Sequence, residues 1–321
     1  MWETSGPRTT PGAAPISNPA KMMGRFRCEA RLSGEGPFET FRARVGGLGG
    51  FDQVFALTAL IPGALGRRPH AAEALLRAAR AATRVKDPRI AWVQESGLAP
   101  GSAYVVAEFV HGITLRELCE HVEASTGQRP APAVWTSIVA GLGAEMAAGL
   151  TAAHLALPPV VHGALNLSNV MVTPQGGVKL ADLGLYASVH APAEIAQAPS
   201  RRGLVAPELA SGSDYTPAAD VYALAAVLRR LLDAVSAGEL EAGGVGVTSP
   251  LPVLLRTLMA EDPGLRPNAN VAELALREIA KAARGEAMRE LATLVRTIMR
   301  QRPATEAPAA EPIAESDEAA P

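Results

Sequence analysis

The apolar pattern of this chain is mainly strand-like before about residue 111 and mainly helical after it, and that change limits the architectures open to it. From Phe26 to Ile61 short runs of strand-forming residues are broken by glycine-rich turns at Gly34 to Gly36 and Gly46 to Gly50, the pattern of a small antiparallel sheet. Leu75, Leu76, Ala79 and Ala82 then recur at helical spacing between Ala71 and Val85, before Asp87-Pro88. Tyr104 to Val110 reads as a further strand. Beyond it helical periodicity dominates, at Leu115 to Val122, Val134 to Leu157, Ala219 to Leu232, Leu251 to Met259 and Val271 to Arg284. Two short strands, Val170 to Val172 and Gly177 to Ala181, flank the Pro174 to Gly176 turn and predict a hairpin. Strands first and helices after imply an α+β protein with two lobes.

Bulk composition excludes several classes. With 48% apolar residues in 321, a sizeable core can form. The 30 basic and 32 acidic residues leave a formal charge of -2, which supplies no global field for nucleic acid or an anionic membrane. Cys28 and Cys119 are too few for a disulfide scaffold or a thiolate zinc site and suit a reducing compartment. Met1 to Ala20 lacks an apolar core behind a basic start, so it reads as a flexible lead-in rather than a secretion signal. The most apolar stretch, Ile138 to Leu157, carries Glu145, His154 and glycines, which favours a buried helix over a membrane span. The end of the chain, rich in Ala, Pro and Glu, reads as a disordered acidic tail.

Val161-His162-Gly163-Ala164-Leu165-Asn166-Leu167-Ser168-Asn169, then the hairpin, then Ala181-Asp182-Leu183-Gly184, resembles the catalytic loop and metal-binding turn of protein kinases. Ala206-Pro207-Glu208, Asp220-Val221-Tyr222-Ala223-Leu224, and Asp262-Pro263 with Arg266-Pro267 resemble later motifs of that family, in order, over Gly24 to Ala283. The resemblance, nearest to bacterial serine/threonine kinases of the eukaryotic type, implies a bilobal fold with a small antiparallel-sheet N-lobe and a larger helical C-lobe. The expected divisions are 1–23 (flexible segment), 24–110 (N-lobe), 111–284 (C-lobe), 285–301 (helical extension) and 302–321 (tail).

Phosphoryl transfer depends on positioning ATP, neutralising phosphate charge and orienting the attacking hydroxyl. The resemblance puts Thr58 in the place of the lysine that holds the phosphates and Ala78 in the place of its glutamate partner. Ala164 replaces the aspartate that takes the substrate proton, and Asn166 a lysine at the transferring phosphate. No catalytic residue is therefore expected. Ser33, Glu35 and Phe38 stand at the glycine positions of the phosphate loop, and an ordinary hairpin turn is expected there. Gly163 replaces the arginine that reads an activating phosphate, and Arg201 the threonine that docks substrate. None of the four lysines, Lys21, Lys86, Lys179 and Lys281, lies on the strand facing the nucleotide.

What remains is largely fold-holding. Asn169 and Asp182 match the magnesium ligands and are the candidate cofactor- and metal-binding residues, with loop-tying hydrogen bonds as the alternative role. Glu208 and Arg266 are expected to form an ion pair, Asp220 to anchor the catalytic loop, and His162 to be buried against backbone. These positions imply a cytoplasmic pseudokinase acting in signalling as a regulator or scaffold. Its partner would be a protein, for example an active kinase, with no nucleic acid and no membrane segment, and magnesium-ATP binding would be weak or absent. The alternative is residual or atypical ATP-dependent serine/threonine kinase activity.

Overall fold

The computed structural model describes residues 21–46, 52–61, 70–125, 129–198, 201–236 and 250–302. The expected lead-in, the turn after Gly46 and the expected tail from 303 onward lie outside them. The first lobe is a six-stranded antiparallel sheet of β1 (Met22–Met23), β2 (Phe26–Glu35), β3 (Phe38–Gly46), β4 (Asp52–Leu60), β5 (Val93–Ala99) and β6 (Ser102–Glu108), in the order β1-β2-β3-β4-β6-β5. Helix α1 (Ala71–Ala82) interrupts it and ends at Thr83, one turn short of the expected stop.

Period-2 alternation sorts the sheet into two faces. Phe41, Ala43, Phe55, Leu57 and Ala59 pack with Phe26 and Tyr104 in one cluster. Thr40, Arg42, Ala56 and Thr58 lie on the other face, since Thr40 pairs with Thr58 and Arg42 with Ala56. The sheet also curls: Arg25 beside β1 reaches Glu95 of β5 at 2.5 Å, and Gly24 and Gly97 both abut the Tyr104 hydroxyl, where a Cβ would collide.

The second lobe contains β7 (Ile113–Thr114), α2 (Leu115–Ala124), α3 (Pro132–His154), β8 (Val170–Val172), β9 (Val178–Leu180), α4 (Leu185–Val189), α5 (Pro192–Gln197), α6 (Pro207–Ala210), α7 (Pro217–Ser236), α8 (Pro250–Leu258), α9 (Ala269–Ala280) and α10 (Arg284–Gln301). The β8–β9 hairpin is antiparallel, and β7 completes a three-stranded sheet with it. Among the described residues α3 alone is long and apolar enough to cross a membrane, yet 78% of its most apolar window is buried inside the protein. A helix apolar on all sides belongs in a core, and Trp135, Ile138, Leu142, Met146 and Leu150 all join the largest cluster.

Thr114 starts α2 with a capping box: its Oγ1 accepts from the Glu117 amide at 3.1 Å while Glu117 Oε2 accepts from the Thr114 amide at 2.7 Å. The periodicity expected through Arg284 breaks at a 3-10 turn, Lys281–Ala283, and α10 resumes beyond it. Leu291, Leu294, Val295 and Ile298 of α10 enter the main core, so the extension is packing.

Glu208 and Arg266 form the expected pair, with Nη1–Oε1 at 2.6 Å and Nη2–Oε2 at 2.8 Å. Burial alone would raise the Glu208 pKa, but hydrogen bonds from Arg266 and from its own backbone amide, with the guanidinium charge, hold it below the usual carboxylate value. Such a group stabilises the fold above its unfolded pKa and loses that contribution as pH falls through its folded pKa. The Arg266 side chain is 0% exposed, so Glu208→Gln strands a buried charge and is expected to cost about 3–5 kcal/mol in urea unfolding at pH 7. The deficit relative to the parent protein should begin to shrink as pH falls below about 4.5, the unfolded carboxyl's value, and close as pH passes the lower folded value.

Candidate functional site

Between the lobes the chain Val161 to Asn169 is held from below by Asp220 in the first turn of α7. Its Oδ2 accepts the His162 amide at 2.7 Å and its Oδ1 the Gly163 amide at 2.8 Å, while His154 Nε2 lies 2.9 Å from Oδ2. The loop-anchoring role expected of Asp220 is therefore met. Gly163 has φ +69°, and a Cβ there would run into Ala187, so glycine is required by conformation and by space. The remainder of the loop is tied by amides: Asn166 Oδ1 accepts from the amides of Ser168 (2.6 Å) and Asn169 (3.2 Å). Asn169 Oδ1 accepts from the Asn166 amide and its Nδ2 donates to Ala164 O, both at 2.8 Å.

Above the loop, Thr58 of β4 donates to Asp182 Oδ1 at 3.3 Å. With that hydroxyl proton engaged, Thr40 is the donor in the 3.1 Å contact between the two threonines. Asp182 takes φ 59°, uncommon outside glycine. Thr58 and Asp182, 124 positions apart in sequence, are thus brought together, and a hydroxyl bond spans the gap where the resemblance called for a charged lysine.

Ala164 is 5% exposed and its methyl lies in one apolar cluster with Phe38 and Leu60 from the sheet, Leu75 of α1, and Leu185 and Tyr186 of α4. Ala78 packs against the same cluster. The Phe38 ring sits 4.7 Å from that of Tyr186, which stacks on His190 at 5.8 Å and 8°. At the hairpin tip Gly36 has φ +58°, and a Cβ there would lie 3.2 Å from His190 Nε2. The hairpin turn expected at Gly36 is present, and it rests on the segment after Asp182.

Two arginines complete the cleft. Arg201 is 2% exposed; its Nη1 donates to Ala164 O and its guanidinium lies 4.7 Å over the Tyr186 ring. Arg42 extends over Phe109, which follows β6, at 5.9 Å, with its Nε buried and without a hydrogen-bond partner among the described residues. Each lysine is elsewhere: Lys21 lies over Phe41, Lys86 is exposed after α1, Lys179 pairs with Glu108 at 2.8 Å, and Lys281 pairs with Glu278 at 2.5 Å.

A model described as protein kinase domain matches residues 66–238, more than half of the chain. The chain belongs to the protein kinase family. The kinase relatives include the tyrosine-protein kinase MasK of Myxococcus xanthus, 29% identical over 243 residues, covering 72% of this chain and 35% of the relative. The serine/threonine-protein kinase PknL of Mycobacterium tuberculosis is 32% identical over 157 residues, covering 48% of this chain and 36% of PknL. This kinase-family chain spans about a third or less of the curated relatives' lengths. In fold it is similar to the crystal structure of the Mycobacterium tuberculosis PknI kinase domain (C20A_R136A double mutant), at TM-score 0.61 and 22% identity over 81% of this chain and 98% of that one. The sheet lobe and helical lobe are those of a kinase.

Thr58 from the sheet lobe and Ala164, Asn169 and Asp182 from the helical lobe flank one kinase cleft, with Ala78 at its apolar edge. Sequence reasoning missed Tyr186, Phe109 and Arg42, whose roles depend on which ring meets which face, and placed Arg201 without its burial. The one available signal was the coincidence of Gly163, Ala164 and Arg201, which by the resemblance removes an arginine and a carboxylate from the loop and brings in a cation at position 201.

His162 is buried as expected, but neither ring nitrogen has a hydrogen-bond partner among the described residues. Burial, with the Arg201 charge adding and Asp220 opposing, pushes its pKa below 6.5. A depressed histidine pKa contributes stability above about pH 6.5 that is lost as pH falls through the folded value. His162→Leu should be neutral or stabilising at pH 7 and should flatten the loss of urea stability as pH falls below about 6.5. An unchanged pH profile would contradict the assignment.

Proposed function

We propose that this kinase-family chain is a pseudokinase, a regulator or scaffold that works by binding another protein and transfers no phosphate. The observation that carries the reading is the packing of Ala164, at the position of the proton acceptor, with Phe38 and Tyr186 in a single apolar cluster. A methyl group accepts no proton, and loss of a positioned base alone lowers a rate roughly 10² to 10⁴-fold. Losing a charge clamp on the phosphates costs about 3–4 kcal/mol more, by analogy with other preorganised donors.

Kinases use ATP and magnesium in general, and these residues fit that pair poorly. Asn169 spends both ends of its amide on the loop, and Thr58 already engages one oxygen of Asp182. Phe38 and Tyr186 present apolar rings beneath the hairpin that would have to cover a highly charged triphosphate. Burying phosphate against such a surface is unfavourable without compensating donors. A cytoplasmic setting and a protein partner, such as an active kinase whose state the lobes could bias, complete the proposal.

One observation favours the rival reading of residual ATP-dependent serine/threonine kinase activity: the Asp182 carboxylate still faces the sheet. The discriminating measurement is a thermal-shift titration with ATP, with and without magnesium, because a ligand at 100 times its Kd stabilises the native state by about 2.7 kcal/mol. The Tm is expected to stay flat at millimolar ATP, and no label should move from γ-labelled ATP to protein. Ala164→Asp alone should remain inactive. Phosphate transfer at an ordinary kinase rate that Asp182→Ala abolishes would defeat the proposal.

A further inference from the structure

Arg42 faces the cleft without a proper partner. Thr58 marks that face of the sheet by its bond to Asp182, and Arg42 shares it, because Thr40 pairs with Thr58 and Arg42 with Ala56. Ala56 in turn pairs with Ala107 of β6, so its methyl points the same way. The Arg42 guanidinium lies over Phe109, where the chain leaves β6 for the lower lobe. Its side chain is 12% exposed, and Nε is buried without a hydrogen-bond partner among the described residues.

The carboxylate in ion-pair range of Arg42 is Glu29, with Nη1–Oε2 at 3.8 Å. Glu29 already accepts from Arg44 Nε at 2.9 Å and Arg27 Nη2 at 3.2 Å. Asp52 pairs with Arg44 at 3.1 Å, and Glu108, next to Phe109, pairs with Lys179 at 2.8 Å. Arg27, Arg42 and Arg44 therefore share two carboxylates, and Arg42 is the one held most loosely. A largely buried guanidinium short of hydrogen bonds is unfavourable, and a carboxylate that accepts two parallel bonds is its best partner.

The two ends of the cleft differ. Phe38, Leu60, Val105, Leu185 and Tyr186 close on one another at the end near Ala164. Beneath Arg42, Ala56, Ala107 and Phe109 are each half-buried and join none of the apolar clusters. That end offers two methyls and a ring as an uncovered floor, with one cation beside it.

We propose that this end of the cleft binds a small planar carboxylate, one ring carrying one acid group. The ring lies on the methyls of Ala56 and Ala107 beside Phe109, and the carboxylate accepts from Arg42. Glu29 is not stranded when Arg42 turns to the ligand, since Arg27 and Arg44 remain on it. The Thr58–Asp182 bond and the apolar cluster beyond it limit the length of the ligand, so a single ring fits where a triphosphate chain would meet hydrocarbon.

The test is titration of the 15N-labelled full chain with benzoate at pH 7 and constant ionic strength. Backbone amides of Arg42, Ala56, Ala107 and Phe109 should shift and saturate with a roughly millimolar Kd, as suits so small a ligand. Benzamide keeps the ring without the charge, and acetate the charge without the ring; each should bind at least about tenfold more weakly. Arg42→Gln should cost benzoate about tenfold or more, whereas Arg77→Gln on α1 should cost nothing. The ligand comparisons use the parent protein, so they hold however well Arg42→Gln folds. Equal affinity for benzoate and benzamide or acetate, undiminished binding by Arg42→Gln, saturable shifts centred on other residues, or no saturable shift would each overturn the proposal. Failure here is separable from failure of the pseudokinase assignment, which rests on transfer of label from ATP.

Discussion

Asp220 is the point on which the cleft is built. Its carboxylate, 1% exposed, receives two consecutive loop amides and faces His154. A buried carboxylate is tolerated because donors surround it, and those donors are the backbone of the loop that carries Ala164. The left-handed turn at Gly163 follows from this grip, and it directs the rest of the loop toward the sheet. Asn166 and Asn169 then lock the loop onto itself.

On that scaffold the two lobes meet through groups of low charge. Where the resemblance calls for a lysine, a relay of two threonines reaches Asp182; where it calls for an aspartate, a methyl group lies within an apolar cluster. The changes are consistent with one another. A lone glutamate at position 78 would have faced apolar neighbours with no lysine to pair with, and alanine removes that cost. Arg201 adds to the pattern by capping the Ala164 carbonyl and covering Tyr186 with its guanidinium.

Much of the fold was legible because its signals are local and periodic. The change from strand to helical spacing near residue 111, the Pro174 to Gly176 turn and the helical run from Leu115 to Val122 each act over a few positions. The Glu208–Arg266 pair and the Asp220 anchor were legible only through the family resemblance of the motifs that carry them. Helices α4 and α5 were not, because five or six residues carry too little periodicity to separate a helix from a loop. Strand β5, with Ser96 and Gly97 at its centre, has weak intrinsic preference and is held by its partner β6. The aromatic stack of Phe38, Tyr186 and His190 depends on the relative placement of the lobes, which no short-range pattern encodes.

The material of the seam between the lobes has a thermal consequence. A cleft closed by paired charges and a bound nucleotide answers to ionic strength and ligand, whereas Phe38, Leu60, Leu185 and Tyr186 join mainly by shedding water from hydrocarbon. That driving force fades as temperature drops. In this molecule it is cold that should loosen the grip of the upper lobe on the lower.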